Sequence, residues 1–199
     1  MRGSRRAPIL HLGFWTIVVA FLKTMESSPT AVPSGAPTLE PTPSPTAAHP
    51  LERSALSALY LSTRGKTEWM TRTNWMDNSK HVSEWFGIKT SSGGSVTEVT
   101  MIGNGLRGSL PSEVAYLAEV TDIHLNYNNL MSSVPSEMGL LVKMDAFHLS
   151  YNSMNASVPS ELGQYGNTKT FHLDSNSFSS AIPSELGKLT SAVRFVAYE

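Results

Sequence analysis

The 199-residue sequence contains no cysteine. Disulfide bridges, zinc sites with thiolate ligands and cysteine nucleophiles are therefore excluded. Charge is also scarce, because only 16% of the residues are charged and the formal net charge is -1, so no excess of positive charge suggests nucleic acid as a partner. The chain lacks a nucleophile and base at motif spacing, a phosphate-binding loop and paired carboxylates. We therefore expect a protein that is not an enzyme and has no cofactor or catalytic metal.

A long apolar run occurs only near the start of the chain. Arg2, Arg5 and Arg6 precede the apolar stretch 7–22, an order typical of a secretory targeting segment. The stretch is slightly short for a membrane-spanning helix, which needs about 17 to 25 apolar residues. No small-residue cleavage site follows it, so residues 1–25 are predicted to form an uncleaved signal anchor, with a cleaved signal peptide as the alternative. The rest of the chain is then extracellular, either attached to the membrane or secreted.

Residues 26–50 are rich in proline, threonine, serine and alanine, and they include the run Pro-Thr-Pro-Ser-Pro-Thr. Such a composition offers almost no apolar side chains for a core. Frequent proline favours an extended, unpacked chain. We interpret this segment as a disordered stalk.

Beyond residue 95 the sequence repeats with a period of 24 residues. A Pro-Ser-Glu tripeptide begins at positions 111, 135, 159 and 183, and an asparagine recurs at positions 104, 128, 152 and 176. Val96, Val99 and Met101 begin three apolar columns at the same interval, which predicts one short strand per unit and a parallel sheet built from them. The asparagine amide is predicted to bond turn backbone in its own coil and in a neighbouring coil.

The second half of each unit is predicted to form a short helical turn. Proline suits the start of such a turn because it has no amide hydrogen to lose. Glycines at positions 139, 163 and 187 are predicted to help end the turns.

The segment 51–95 lacks the 24-residue period. Its first part predicts one apolar face of a helix, which ends before Gly65. The residues of that face are Leu51, Ala55, Leu56, Leu59 and Tyr60. Tryptophans follow at positions 69, 75 and 85. Since the first layer of a repeat stack is otherwise open to water, we interpret the segment as a cap whose tryptophans are packing residues.

The cap and the repeats together resemble extracellular leucine-rich-repeat proteins of the plant type. The resemblance is carried by Asn74-Trp75, by the segment Ser-Glu-Trp-Phe-Gly-Ile-Lys-Thr at 83–90 and by a repeat similar to LxxLxLxxNxLxGxIP. It implies an α/β fold, a right-handed leucine-rich-repeat solenoid with a curved parallel sheet on the concave side. Short helical or 3-10 turns lie on the convex side, and an N-terminal helical cap precedes the repeats.

In that family, cysteines usually stand at the positions of Ser83 and Thr90, so this cap must depend on its tryptophans alone. The solenoid is expected to span 96–199, as four repeats and a truncated fifth. The fifth unit stops before its asparagine and proline, which suggests a truncated product or gene model.

The strand residues that face away from the predicted core form the candidate binding surface on the concave side. They include three histidines at one repeat position and two tyrosines at another. The candidate partner-binding residues are Thr100, His124, Asn126, Tyr127, His148, Ser150, Tyr151, His172 and Asp174. Aromatic stacking and hydrogen bonding from such residues suit a protein, peptide or glycan ligand.

The histidines also raise two narrower hypotheses. Pairs of imidazoles can bind a divalent transition metal, and their protonation in mild acid can switch a surface. The plain alternative is that duplication of a repeat copied its histidine.

Asn155-Ala156-Ser157 is an N-glycosylation sequon outside the predicted strands. The overall prediction is a binding module at the cell surface or in secreted form. The alternatives are an ectodomain fragment of a signalling receptor-like kinase and a structural wall or matrix protein.

Overall fold

The computed structural model describes residues 50–179, 181–192 and 194–196. The predicted signal segment, 1–25, and the predicted stalk up to residue 49 lie outside the described residues. Within the described part of the chain, none of the helices has the length and apolar character needed to cross a membrane.

The first described element is the helix α1, Pro50–Ser62. Its buried residues, at positions 52, 55, 56, 59 and 60, follow the spacing of one helical face. The predicted face was wrong at one position: Leu51 is 49% exposed, whereas Glu52 is only 4% exposed. The Glu52 carboxylate accepts a hydrogen bond from the Val96 backbone amide, with N–O distances of 3.2 and 3.3 Å. The buried Glu52 carboxyl group thus links the cap helix to the start of the repeats by a hydrogen bond.

The three tryptophans of the cap are buried and in mutual contact, which confirms their predicted packing role. The ring centroids of Trp69 and Trp75 lie 4.7 Å apart, and those of Trp75 and Trp85 lie 4.9 Å apart. Two indole nitrogens donate to backbone carbonyls, Trp69 to Thr63 at 3.1 Å and Trp75 to Phe86 at 2.9 Å. Aromatic packing, with two of the three indole N–H groups hydrogen-bonded, holds a cap that has no disulfide.

Two sheets run along the repeats. The strands are β1 Ile88–Thr90, β2 Val96–Thr100, β3 Arg107–Gly108, β4 Asp122–His124, β5 Asn129–Ser132, β6 Ala146–His148, β7 Ser153–Met154, β8 Thr170–His172 and β9 Arg194–Val196. The larger sheet has the order β1-β2-β4-β6-β8-β9, and the smaller one has the order β3-β5-β7. Only β1, from the cap, pairs antiparallel in the larger sheet. The parallel stack predicted from the period is therefore confirmed.

Short 3-10 turns form the opposite side of the repeats, and they span Ser112–Tyr116, Ser136–Leu140, Ser160–Gln164 and Ser184–Lys188. The cap contains a further 3-10 turn, Val82–Glu84. The proline of each Pro-Ser-Glu tripeptide is the residue just before its turn.

The glycines in these turns do not act as predicted. Gly139 and Gly163 lie inside their turns rather than at the ends. A Cβ atom at Gly139 would lie 2.7 Å from the Glu161 carbonyl oxygen in the next unit. Glycine at this position therefore allows consecutive turns to approach closely.

The core lies between the larger sheet and the turns. Val99, Ile123 and Phe147 stand opposite one another in register and are all buried. Toward the C-terminal end the core is aromatic, since Phe147 and Phe171 stack with centroids 5.4 Å apart. The inward columns predicted from the sequence are confirmed for the residues whose burial the structure describes.

The repeated asparagines bond backbone groups of two coils, as predicted. The Asn128 side-chain oxygen accepts from the amides of Asn104 and Leu106, both at 3.0 Å. Its amide nitrogen donates to the carbonyls of Met101, at 2.7 Å, and Leu125, at 2.9 Å. Asn152 and Asn176, one and two units later, each repeat the bond to one amide and the bonds to two carbonyls. We call these residues the asparagine ladder.

We predict that Asn128→Ala lowers the free energy of unfolding by about 3 kcal/mol, because each buried backbone group left without a partner costs about 1 to 3 kcal/mol. Chemical denaturation of the full chain measures this. Asn126→Ala, two residues away, is the matched control and should cost less than about 0.5 kcal/mol. Equal losses in the two variants would contradict the structural role of the ladder.

Candidate functional site

The solvent-facing side of the larger sheet, hereafter the sheet face, corresponds to the expected concave surface. Backbone register aligns its side chains in rows across the repeats. The first, the histidine row, consists of Thr100, His124, His148 and His172, which are paired directly from strand to strand. These residues alternate along each strand with the buried ones, so they point away from the core.

The three imidazoles contact one another in sequence. The ring centroids of His124 and His148 lie 4.6 Å apart, with their Nδ1 atoms 2.9 Å apart, so that one ring donates its N–H to the other. His148 and His172 stack almost in parallel with centroids 4.3 Å apart. The Nε2 atom of His148 lies 2.8 Å from the Thr170 hydroxyl. The row is a contiguous ladder of rings rather than three separate side chains.

The central member of the histidine row, His148, resists protonation. Burial and then the neighbouring His172 and His124 lower the pKa of His148 to about 4, and Arg194 acts in the same direction while Asp122 opposes it. Burial, followed by Arg194, also holds the pKa of His172 below its usual value. The His148 ring therefore stays neutral on the folded protein in mild acid. At neutral pH His148 presents an uncharged polar ring.

The second row, the tyrosine row, consists of Gly103, Tyr127, Tyr151 and Ser175. Each of these residues comes immediately before one of the four repeated asparagines, at positions 104, 128, 152 and 176. The rings of Tyr127 and Tyr151 stack with centroids 4.4 Å apart and planes 10° apart. Their exposed fractions are 56% and 49%. Two large aromatic rings are thus held side by side in solvent.

The third row, the polar row, consists of Ile102, Asn126, Ser150 and Asp174. The Ser150 hydroxyl donates to Asp174 Oδ1 at 2.7 Å. The side-chain oxygen of Asn126 is buried and has no hydrogen-bond partner among the described residues, and the same holds for the Nε2 atom of His172. Buried polar atoms without partners are rare and call for an explanation.

A fourth row was missed by the sequence analysis. This charged row consists of Glu98, Asp122, Ala146, Thr170 and Arg194, aligned by the strand pairing. It lies two residues before the histidine row, so the two-residue strand period already placed it on the sheet face. The cap also contributes, because Lys89 of β1 forms an ion pair with Glu98 at 2.7 Å.

The two acidic residues of the charged row accept hydrogen bonds from neighbouring side chains. Burial works against ionisation of Glu98, but hydrogen bonds from Lys89 and Thr100 outweigh it and hold the pKa of this carboxyl below its usual value. The Thr121 hydroxyl donates to Asp122 Oδ2 at 2.6 Å. The acidic end of the sheet face therefore lies next to the cap.

All nine predicted partner-binding residues fall on the sheet face. Asn155, the predicted glycosylation site, does not: it is exposed beyond the end of β7, and its backbone amide donates to the Ser132 carbonyl at 3.2 Å.

The metal hypothesis gains little from the geometry. Over the part of the chain that the structure describes, no three His, Cys, Asp or Glu side chains are placed to hold a metal ion. The pair His124 and His148 already shares a hydrogen bond, which a metal ion would have to displace.

Comparison with known sequences gives one local match. The family model described as Leucine Rich Repeat matches residues 167–189. No curated protein sequence matches the chain.

Comparison with solved structures covers most of the chain. The BIR2 ectodomain from Arabidopsis thaliana superposes with a TM-score of 0.65 at 23% identity, over 75% of this chain and 79% of that chain. The leucine-rich-repeat ectodomain of the plant membrane receptor kinase GASSHO1/SCHENGEN3 from Arabidopsis thaliana, in complex with CASPARIAN STRIP INTEGRITY FACTOR 2, gives 0.66 at 20% identity, over 74% and 18%. A plant ice-binding protein gives 0.54 at 16% identity, over 76% and 57%. The fold is that of plant-type leucine-rich-repeat proteins, as predicted.

We predict that protein stability falls as the pH is lowered from about 6.5 toward 4. The folded protein keeps His148 neutral down to a pKa of about 4, whereas the unfolded chain takes up the proton near pH 6.5. Solvent screening at this partly exposed ring limits the loss to the order of 1 kcal/mol.

Denaturation midpoints of the wild type and His148→Gln at pH 6.5, 5.8 and 5.0 measure the effect, since few carboxylates titrate in this range. The variant should show the shallower pH dependence. Equal slopes would show that the ring is not held neutral by the fold.

Proposed function

We propose that this chain is a non-enzymatic binding module that holds a protein or peptide partner against the sheet face. One observation carries the proposal: five rings, three imidazoles and two phenols, stand in two separate stacks on the solvent side of the sheet. Tyrosine is enriched where proteins bind one another, because its ring gives contact area at low entropic cost and its hydroxyl forms hydrogen bonds. Packing of the core does not require these rings to be there.

Polar atoms on the same surface support a specific partner rather than a purely apolar contact. Asn126 and His172 each have a buried polar atom without a partner among the described residues. A small side-chain rotation on binding would let both atoms form hydrogen bonds with a ligand. Neutral hydrogen bonding of this kind suits a peptide backbone.

The solved structures support the same class of function. They include receptor ectodomains, and one of them is in complex with CASPARIAN STRIP INTEGRITY FACTOR 2. Together with the predicted secretory segment, they support a place at the cell surface or outside the cell. Contact of the N-terminal segment with the membrane stays a prediction from the sequence. A glycan ligand, a fragment of a receptor-like kinase and a structural wall or matrix protein are the alternatives, and the plant ice-binding protein shows that this fold serves other purposes too.

Selection of random-sequence peptides displayed on phage against the full chain tests the proposal. We predict that selected peptides bind His124→Ala/His148→Ala at least tenfold more weakly than the wild type, because the double variant removes two rings of the ladder. Circular dichroism checks that the variant is folded.

The matched control is Glu137→Gln/Glu161→Gln, which changes two residues in the 3-10 turns on the opposite side and should leave binding unchanged. Peptides that bind the histidine double variant as tightly as the wild type would refute the proposed site.

We also propose that Asn155 carries an N-linked glycan in a secretory host. The full chain expressed there should lose mass on glycosidase treatment, and both Asn155→Gln and Ser157→Ala should abolish that loss. Binding of the selected peptides should not change in either variant, because Asn155 lies off the sheet face. An unchanged mass of the wild-type protein would end this proposal.

A further inference from the structure

The tyrosine row occupies a backbone conformation that normally favours glycine. Its members have φ angles of 57° at Gly103, 60° at Tyr127, 54° at Tyr151 and 54° at Ser175. The left-handed region is uncommon for residues with side chains, and bulky residues are outliers there. The repeat thus imposes one conformation at this position, and two consecutive units fill it with tyrosine.

The backbone strain at the two tyrosines is at least as large as the stacking energy of their rings. The left-handed conformation costs about 1 to 2 kcal/mol for each residue with a Cβ atom. Stacking of the two rings returns about 0.5 to 1.5 kcal/mol. About half of each tyrosine is exposed, so much of both rings is presented to solvent. Glycine, as at Gly103, adopts this conformation without strain, so the backbone alone does not account for the tyrosines.

The stack leaves one face of each ring for a ligand. Tyr127 and Tyr151 cover each other's inner faces at a centroid distance of 4.4 Å. The other side of Tyr151 is toward the next unit, where the corresponding residue is Ser175. A serine side chain is too small to cover a phenol ring. A flat group of a ligand can therefore stack on the outer face of Tyr151.

An acidic residue, Asp174, adjoins Tyr151 through the backbone. Asp174 precedes Ser175, and its backbone carbonyl accepts from the Tyr151 amide at 3.1 Å. Its carboxylate uses Oδ1 to accept from Ser150, and it forms no ion pair with any of the described residues.

The cations of the sheet face lie elsewhere. Lys89 is paired with Glu98 at the cap end, and Arg194 is in the charged row, which is separated from the polar row by the histidine row. The charged residue without an ion pair next to the tyrosine row is therefore the acidic Asp174.

We propose that Tyr127, Tyr151 and Asp174 form a subsite for an arginine side chain of the protein or peptide partner. The inference rests on the proposed function of the sheet face. A guanidinium group is planar and cationic, so it stacks on an aromatic face and pairs with a carboxylate at the same time. Lysine offers a compact charge without a plane, which makes arginine the better occupant.

The test uses the peptides selected on the full chain. In each arginine-containing peptide that binds the sheet face, arginine is replaced by citrulline, which keeps the planar shape and loses the charge. We predict about tenfold weaker binding of the citrulline peptide, from the cation–π and carboxylate contacts together. Tyr151→Asn and Asp174→Asn should each bind the arginine and citrulline peptides with nearly equal affinity.

Two controls separate this loss from unfolding. Asparagine tolerates the left-handed region, so Tyr151→Asn should be at least as resistant to denaturant as the wild type. Asp122→Asn alters another carboxylate of the sheet face, away from the tyrosines, and should keep the preference for arginine.

The outcomes distinguish the two proposals. Selected peptides that bind the sheet face but lack arginine, or that bind equally well with citrulline, would overturn the subsite and leave the binding module standing. Failure of every selected peptide to depend on the histidine row would overturn the proposed function itself.

Discussion

Every repeat of this protein depends on one asparagine side chain that bonds its own coil and the coil before it. Asn128 satisfies two backbone amides and two carbonyls from a buried position. Because one of these amide bonds and both carbonyl bonds recur at Asn152 and Asn176, the turn after each strand has a similar geometry. That geometry places the preceding residue in the left-handed region, at Tyr127 and Tyr151 among others. The internal ladder therefore determines how the exposed tyrosines are presented.

The core and the proposed binding surface lie on opposite sides of the same strands. Val99, Ile123 and Phe147 fill the core, while the alternate residues hold the imidazole and phenol rings in solvent. Loss of one ladder asparagine leaves several buried backbone groups without partners, whereas loss of a tyrosine removes backbone strain together with a modest stacking energy. The sheet face can thus vary with little effect on the fold, which is the arrangement expected of a repeat protein that binds other molecules.

The 24-residue period was sufficient to predict the parallel sheet, the buried columns and the side of the sheet on which the candidate residues lie. The misses have local causes. Glu52 is buried because its carboxylate bonds the Val96 amide, a contact across 44 residues that helical spacing alone does not reveal. Gly139 was interpreted as a turn terminator, although it is required by the carbonyl of Glu161 in the next unit. The contacts between histidine rings depend on side-chain rotamers, so the low pKa of His148 was not predictable either.

We propose above all that a partner binds on the stacked rings of the sheet face. Hydroxyl-radical footprinting of the full chain, free and bound to a selected peptide, tests it directly. The account predicts that Tyr127, Tyr151 and His148 lose reactivity on binding, while Leu140, 66% exposed in a 3-10 turn on the opposite side, keeps its reactivity. Protection confined to Leu140 and its neighbours, with the tyrosines unchanged, would contradict it.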